Sequence, residues 1–303
     1  MPPPRFPIRA SFDLAVNLGL LALLATLWGA SYSFIKVGIE TIPPITLIAG
    51  RTAIAGMVLL AVMRGMGVSM ARDRASWRSF MVQACLNSVL PFTAIAWAEQ
   101  TVDAALATIL NSTSPIFIFL FALILHLEGE RTWRKFLGVA FGFAGILLVI
   151  GADALEGLSR ELVSQLVIVG ATVCYAGAAV FGRRFSGMNA LVPAAGSMIA
   201  GGAVLIPASL VIDHPWTLDV SADSALALLG LSVLSTALAF VIYFRLLKTL
   251  GSVGTAAQAY LRVPIGVALG ALVLGETLPF SAWAGMACVI AGVAAMTWPP
   301  RRR

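Results

Sequence analysis

Long apolar runs fill most of the chain, and short segments with proline, glycine or charged residues separate them. A helix needs about 20 mostly apolar residues to cross a lipid bilayer, and the runs have about this length. Breakers such as Pro43, Gly129 and Pro279 mark their ends. The pattern predicts an all-α polytopic membrane protein with ten transmembrane helices, over residues 14–36, 43–63, 77–98, 102–126, 132–151, 163–184, 190–212, 224–248, 252–274 and 279–299.

Composition supports lipid as the solvent for this chain. Of its 303 residues, 59% are hydrophobic and 11% are charged, whereas a soluble domain is about half apolar and a quarter charged. Cys85, Cys174 and Cys288 lie inside apolar runs without a Cys-x-x-Cys pair, so neither a zinc site nor a disulfide framework is expected. We expect no metal and no cofactor. The first run is too long for the core of a signal peptide, so it is interpreted as a retained helix.

The distribution of charge tests this segmentation independently. With the N-terminus inside and the helices alternating, 16 of the 20 Lys and Arg residues fall in inside segments, and 10 of the 14 acidic residues fall in outside segments. Cytoplasmic loops are rich in Lys and Arg, so the asymmetry predicts a multi-pass protein of the cell (inner) membrane with both termini cytoplasmic. Only Arg51 and Arg262 remain within the predicted membrane region. The net charge of +6 does not indicate nucleic-acid binding, because the cations are scattered in short loops.

The two halves of the chain, residues 1–151 and 152–303, resemble each other. The stretch FLGVAFGFAGILLV at 136–149 aligns with WAGMACVIAGVAAM at 283–296, and SPIFIFLFALIL at 114–125 aligns with VPIGVALGALVL at 263–274. Each half contains five predicted helices. Because this number is odd, the second half starts on the opposite side of the membrane and crosses it in the opposite direction. Such inverted repeats are typical of secondary transporters with a substrate site near the bilayer midplane.

Two five-helix halves, each ending in the pattern P-I-x(n)-G-E-x(n)-G-x6-G, resemble the EamA family of the drug/metabolite transporter superfamily over nearly the whole chain. Within this family the chain is similar to the YddG-type aromatic amino-acid exporters. The resemblance implies export of small metabolites, often amino acids, from the cytoplasm. The first half reads LEGE where the second reads LGE, so either Glu128 or Glu130 matches Glu276. For Glu276 itself, near a loop, we expect helix capping or an interface contact.

Two prolines predict where the helices are interrupted. Pro115 frees the carbonyl of Asn111 and Pro264 frees that of Tyr260, because proline removes one helix hydrogen bond. Paired interruptions at equivalent positions indicate a transport site, with the prolines as hinges. Polar residues accompany both prolines, namely Asn111, Ser112 and Ser114 in the first half and Gln258, Tyr260 and Arg262 in the second.

Arg262 is the deepest cation, roughly 15 Å from the start of its predicted helix. A charge at the bilayer centre costs at least about 2.5–3.5 kcal/mol. Two interpretations stay open: Arg262 contacts a substrate carboxylate, or it binds freed carbonyls and holds helices together. Arg51 is shallower, and a structural role is favoured for it.

Aromatic and amide side chains complete the candidate substrate site. Trp28 and Tyr32 share one helix face, four residues apart. An aromatic cavity with few polar groups suits an aromatic or amphipathic substrate, whereas ordinary packing is the alternative for each residue. The remaining candidates lie within other predicted helices: Gln83, Asn87, Tyr175 and Gln258.

Other classes of function lack support in the sequence. An intramembrane enzyme needs a His-Glu-x-x-His zinc pair, two membrane aspartates or a Ser–His dyad, and His126 and His214 lie at helix ends. A receptor or scaffold gives no reason for an inverted repeat. A nucleotide-sugar or organophosphate carrier needs several midplane cations, and a drug transporter of the same superfamily remains an alternative. We expect a small-molecule substrate, the lipid bilayer as the other partner, and a chain that works as a monomer.

The distribution of acidic residues also bears on energy coupling. No Asp or Glu lies near the predicted midplane, so we expect that coupling, where present, does not use a buried carboxylate. Facilitated export by alternating access is the simplest mechanism. The outer acids and His214 remain as groups that respond to pH.

Overall fold

A computed structural model describes residues 7–125, 133–155, 160–250, 255 and 258–297. All regular secondary structure within these ranges is helical, as predicted. We number the helices by their place in the predicted order: α1 (Pro7–Gly38), α2 (Pro44–Gly65), α3 (Arg74–Ala84, Cys85–Val89 and Leu90–Ala98), α4 (Ala104–Asn111 and Ser114–Ile124), α5 (Trp133–Leu155), α6 (Arg160–Phe181), α7 (Leu191–Ile212), α8 (Ala222–Leu229, Gly230–Leu238 and Ala239–Thr249), α9 (Gln258–Val273) and α10 (Phe280–Thr297).

In the part of the chain that the structure describes, seven helices are long and apolar enough to cross a membrane: α1, α2, α3, α4, α6, α7 and α8. Three shorter apolar stretches, Phe136–Val149, Leu261–Val273 and Phe280–Gly292, occupy the places of the remaining predicted spans. The multi-span architecture is therefore confirmed, and ten spans remain a prediction. Both chain ends, with Arg5 and Arg301, lie outside the described residues, as do His126, Glu128 and Glu130.

In two of the helices, the residue directly before the first turn caps the helix with its own side chain. The carboxylate of Asp73 accepts a hydrogen bond of 2.7 Å from the backbone N–H of Ser76 at the start of α3. Because these hydrogen bonds favour the ionised form, they hold the pKa of exposed Asp73 below its usual value. Ser221 caps α8 in the same way, at 3.1 Å from the N–H of Ser224.

The prediction of paired helix interruptions is half right. Helix α4 breaks between Asn111 and Ser114, and Pro115 begins its second part. Helix α9, in contrast, is α-helical from Gln258 to Val273 with Pro264 inside it. Hydroxyl groups explain the difference. In α4 the side chains beside Pro115 compete with the helix ladder by binding local carbonyls, at 2.7 Å for Ser112, Thr113 and Ser114. Apolar neighbours flank Pro264.

A different pair of irregularities occurs at equivalent positions of the two halves. Helix α3 contains a π-helical segment at Cys85–Val89, and α8 contains one at Gly230–Leu238. Ser88 and Ser235 lie within them, separated by the offset that aligns the two halves. Because π-helical turns are rare and often occur at functional sites, this pairing marks α3 and α8 as site-forming helices.

Equivalent helices of the two halves pack against each other in opposite directions. In the α5–α10 pair, Gly138 contacts Gly292 while Gly145 contacts Gly285, so the helices run antiparallel. Helices α2 and α7 are likewise antiparallel. Two further contacts each occur twice, once with the halves exchanged. Helix α1 packs against α9 as α6 packs against α4, and α3 packs against α6 as α8 packs against α1. This arrangement is the geometry expected of an inverted repeat.

Candidate functional site

A cavity of about 560 Å³ lies between helices of both halves. Its lining extends from exposed Ser186, in the turn before α7, to buried Ile35 and Ile95. Its lining comprises Trp28, Ser31, Tyr32, Ile35, Arg51, Gln83, Asn87, Phe92, Ile95, Tyr175, Ala178, Ala179, Gly182, Phe185, Ser186, Ala190, Pro193, Ala194, Ser197, Ser235, Thr236, Phe240, Tyr243, Phe244 and Gln258.

Six of the candidate residues from the sequence come together in this lining: Trp28, Tyr32, Gln83, Asn87, Tyr175 and Gln258. They lie on α1, α3, α6 and α9, so both halves contribute. The structure does not place Asn111, Ser112, Ser114 or Arg262 in the lining. The side chain of Tyr260 lies outside the described residues.

Aromatic rings form much of the cavity wall. The ring centroids of Trp28 and Tyr243 are 5.4 Å apart, and those of Trp28 and Phe240 are 6.4 Å apart. On the other side, Phe92 and Tyr175 lie 6.4 Å apart. The contribution of α8 was not predicted from the sequence, although Phe240 and Tyr243 have the spacing of one helix face.

Arg51 is the principal charged group of the cavity, and only 5% of its surface is exposed. Its Nε donates a hydrogen bond of 3.0 Å to Oγ1 of Thr236, in the π-helical segment of α8. The guanidinium carbon lies 3.7 Å from the ring centroid of Phe92. Within the described ranges, no acceptor is hydrogen-bonded to the two Nη groups, although the carboxyl group of Glu99 lies within electrostatic range. A buried cation in such an environment is chemically suited to bind an anionic group.

Three buried acceptor groups of the lining are also unpaired among the described residues. They are Oε1 of Gln83, Oγ of Ser235 and Oε1 of Gln258. Buried polar atoms normally have a hydrogen-bond partner, so unpaired ones beside an open cavity indicate donors on a ligand or ordered water.

Two of the other candidates, Asn111 and Arg262, lie next to residues of the cavity wall. Asn111 donates from Nδ2 to the hydroxyl of Tyr32, and its own Oδ1 is unpaired in the described part of the protein. Arg262 lies close enough to Tyr32 and Tyr175 to interact electrostatically with both. Its Nε has no partner within the described ranges, so the structure does not show it tied to a freed carbonyl.

One contact within the first half and one between the halves close the end of the cavity opposite Ser186. The ammonium group of Lys36 donates to the carbonyls of Glu99 and Val102, at 2.8 Å each. Nearby, Glu276 caps α4: its carboxylate accepts from the backbone N–H groups of Ala104 at 2.8 Å and Ala105 at 2.9 Å. The expected capping role of Glu276 is confirmed.

Asp213 supplies a second cap between the halves. Its Oδ2 accepts from the N–H of Thr46 at 2.9 Å and from the hydroxyl of Thr46 at 2.7 Å, at the start of α2. Helix N-termini favour negative charge, so both acids join the repeats at one end of the molecule.

Three similar proteins have names that describe them as transporters, exporters or efflux pumps. The chain is 25% identical over 279 residues to the "Uncharacterized inner membrane transporter YedA" of Escherichia coli (strain K12), covering 92% of this chain and 90% of the relative. It is 28% identical to a "Probable terminal-alkyne amino-acid exporter" of Streptantibioticus cattleyicolor, with 90% of each chain covered. It is also 28% identical to a "Probable amino-acid metabolite efflux pump" of Salmonella typhimurium, with 91% and 93% covered.

A solved crystal structure shares the fold, with a TM-score of 0.66 at 20% identity over 97% of this chain and 99% of the other. The model of the EamA-like transporter family matches residues 17–151 and again residues 162–298, once in each half. The chain is therefore a membrane transporter that belongs to the EamA-like transporter family.

Proposed function

We propose that this transporter exports zwitterionic amino acids with large neutral or aromatic side chains. The observation that carries the proposal is buried Arg51, which lines an aromatic cavity and forms no salt bridge with an acidic side chain of the described residues. Its free Nη groups suit a bidentate contact with a carboxylate. Two relatives have names that indicate export of amino acids or their metabolites, which supports the same class.

The remaining groups of the cavity fit the other parts of such a substrate. The unpaired oxygens of Gln83, Ser235 and Gln258 are acceptors for an α-ammonium group. The rings of Trp28 and Tyr243 offer an apolar surface to the substrate side chain. A phosphate ester carries two or more negative charges and favours several cations, whereas Arg51 is the one cationic side chain in the described lining.

We further propose that the cavity faces the cytoplasm in this conformation, across ten spans. The rings of Phe80 and Phe185 are 5.6 Å apart, so the start of α3 lies beside the turn before α7 where the cavity opens. Arg74, Arg183 and Arg184 lie near this end, and cytoplasmic ends are rich in such cations. Alternating access then opens the end held by Lys36 and Glu276. The substrate gradient drives export.

Transport into liposomes by the purified protein tests this proposal. Labelled aromatic and large neutral amino acids are offered, and each is competed with an analogue that lacks the carboxylate. Losing one partner of a buried charged contact costs about 2–5 kcal/mol. We therefore expect Arg51→Gln to weaken substrate binding about 30-fold or more. The amine analogue should bind the parent and the variant equally, because it does not use Arg51.

Arg64→Gln is the matched control, since Arg64 is an exposed cation on the same helix. Its transport should equal that of the parent protein. If no amino acid is transported or competes, the substrate class is wrong, and organophosphates, sugar nucleotides and drugs are tested next. If amino acids are transported but Arg51→Gln retains full affinity, Arg51 does not bind the carboxylate.

A further inference from the structure

Glu99 is a carboxylic acid that is enclosed by the protein although it lies at the end of a membrane span. It follows Ala98, the last residue of α3, and its side chain is 0% exposed. Neither Oε1 nor Oε2 has a hydrogen-bond partner in the described part of the chain. Burying an ionised carboxylate without donors is very unfavourable, so such a group favours its protonated form.

The charged groups around Glu99 come from several elements. Lys36 of α1 and Arg51 of α2 favour the ionised form, whereas Glu276, after α9, opposes it. The hydroxyl of Tyr32 on α1 is also within electrostatic range. Lys36 does not bond to the carboxylate, because its ammonium group binds the backbone carbonyls of Glu99 and Val102. Burial dominates over these charges and raises the pKa of Glu99 well above its usual value.

The position of Glu99 links it to the closed end of the substrate cavity. Ile95, one helical turn earlier on α3, forms that end, and so does Ile35, the neighbour of Lys36. On the far side, Lys36, Glu40 and Glu99 line a second cavity of about 540 Å³. Glu99 therefore lies between the substrate cavity and the opposite surface. Opening this end breaks the contacts of Lys36 and lets water reach the carboxyl group.

We propose that Glu99 is a proton-binding site whose occupancy holds this end of the transporter closed. In the closed state the carboxyl group carries a proton. In the open state water and Lys36 stabilise the carboxylate, and the proton passes to the water outside. The inference rests on the proposed alternating access, in which the Lys36 end faces outward. Acid conditions outside then favour the conformation described here, and alkaline conditions favour outward opening.

The sign of the effect follows from linkage between proton binding and conformation. A group with a higher pKa in the closed state than in the open state binds more protons when closed. Between these two pKa values, the open-to-closed ratio rises up to about tenfold for each unit of pH. Below both values the ratio is constant, because the carboxyl group is protonated in both states.

Cysteine labelling measures the opening without any substrate. Cys85, Cys174 and Cys288 are replaced, and Val102→Cys is introduced at a position that is 0% exposed when Lys36 holds its carbonyl. The maleimide labelling rate is measured in nanodiscs from about pH 5 to about pH 9, around the usual range of raised carboxyl pKa values. Dividing by the rate at exposed Thr217→Cys removes the pH dependence of thiol reactivity.

We expect the corrected rate to rise with pH when Glu99 is present, and to be low and constant in Glu99→Gln. Glu99→Asp retains a titrating group, so its rate should rise with pH along a shifted curve. Glu40→Gln is the matched control, since Glu40 lines the same outer cavity but is exposed. It should behave like the parent.

Two results overturn the proton site: a corrected rate independent of pH in the parent, or an unchanged pH dependence in Glu99→Gln. If the Gln variant does not fold, an unshifted curve for Glu99→Asp overturns it as well. Because no substrate is present, these results are separate from the transport test of the amino-acid assignment. A failed transport test leaves the labelling result unaffected.

Discussion

The cap that Glu276 places on α4 gives a stability prediction that depends on neither substrate nor membrane orientation. Both carboxylate oxygens bind backbone N–H groups at the first turn of α4, at 2.8 and 2.9 Å. Glu276→Ala leaves both N–H groups without this partner. A hydrogen bond to a charged group contributes about 1.5–3 kcal/mol. Because Glu276 is only partly buried and water replaces some of the loss, we expect destabilisation of about 3 kcal/mol.

Glu276→Gln provides an internal scale for this value. Its side chain keeps one acceptor oxygen, while the amide N–H₂ group faces the second backbone donor. We expect about half the effect of the alanine variant, about 1.5 kcal/mol, because one of two bonds survives. Glu40→Ala removes an exposed acid near the same end and should have little effect.

Chemical denaturation in micelles, followed by tryptophan fluorescence, measures these free energies. The midpoints should fall in the order Glu40→Ala, Glu276→Gln, Glu276→Ala. Equal midpoints for Glu276→Ala and Glu40→Ala would falsify the assignment of Glu276 as a cap. If the Gln and Ala variants lose the same stability, the two hydrogen bonds do not act separately, and the additive estimate is wrong.

Two further predictions concern one contact within the first half and one contact between the halves. Lys36→Met removes the donor that binds the carbonyls of residues 99 and 102, so labelling at Val102→Cys should become fast and nearly independent of pH; a rate as slow as that of Lys36→Arg would contradict this role. Gly285→Ala places a methyl group 2.8 Å from the carbonyl oxygen of Gly145, so thermal unfolding should show destabilisation of about 1–3 kcal/mol. Gly170→Ala is the control, because its added methyl group has no neighbouring atom within 4 Å. Equal stability of the two variants would show that α5 and α10 can move apart without loss of free energy of unfolding.

The sequence predicted the features that lipid imposes on every residue. Apolar runs must span the hydrocarbon region as helices, so the helix order was predicted correctly. The sequence match between the halves likewise indicated an inverted repeat, which agrees with the antiparallel α5–α10 pair. The interruption expected at Pro264 was wrong, because one missing hydrogen bond does not end a helix that packs on both sides. Its neighbours offer no hydroxyl group to replace the ladder.

The chemistry of the site depended on depth and contacts that the sequence does not encode locally. Arg51 was favoured as structural because its distance from the helix end resembles that of an interfacial cation. Its position in the cavity arises from contacts with Phe92 and with Thr236, 185 residues away. Glu99 had the appearance of an outer-loop acid. It is buried because the turn before α4 folds beneath Lys36, a contact over 63 residues.

The inverted repeat relates the closed end of the transporter to its open end. Lys36 aligns with Arg183 of the second half. Lys36 binds carbonyls between α3 and α4, whereas Arg183 is exposed at the mouth of the cavity, next to Ser186. In the proposed alternating access the halves exchange roles, and we expect Arg183 then to bind backbone carbonyls of the second half. The two conformations then differ in which of these cations binds backbone carbonyls. Glu99 has Leu246 or a neighbouring residue as its counterpart, and this segment carries no acid. In the proposed mechanism, proton binding by Glu99 therefore acts on one end only, and the two otherwise similar states should respond differently to pH.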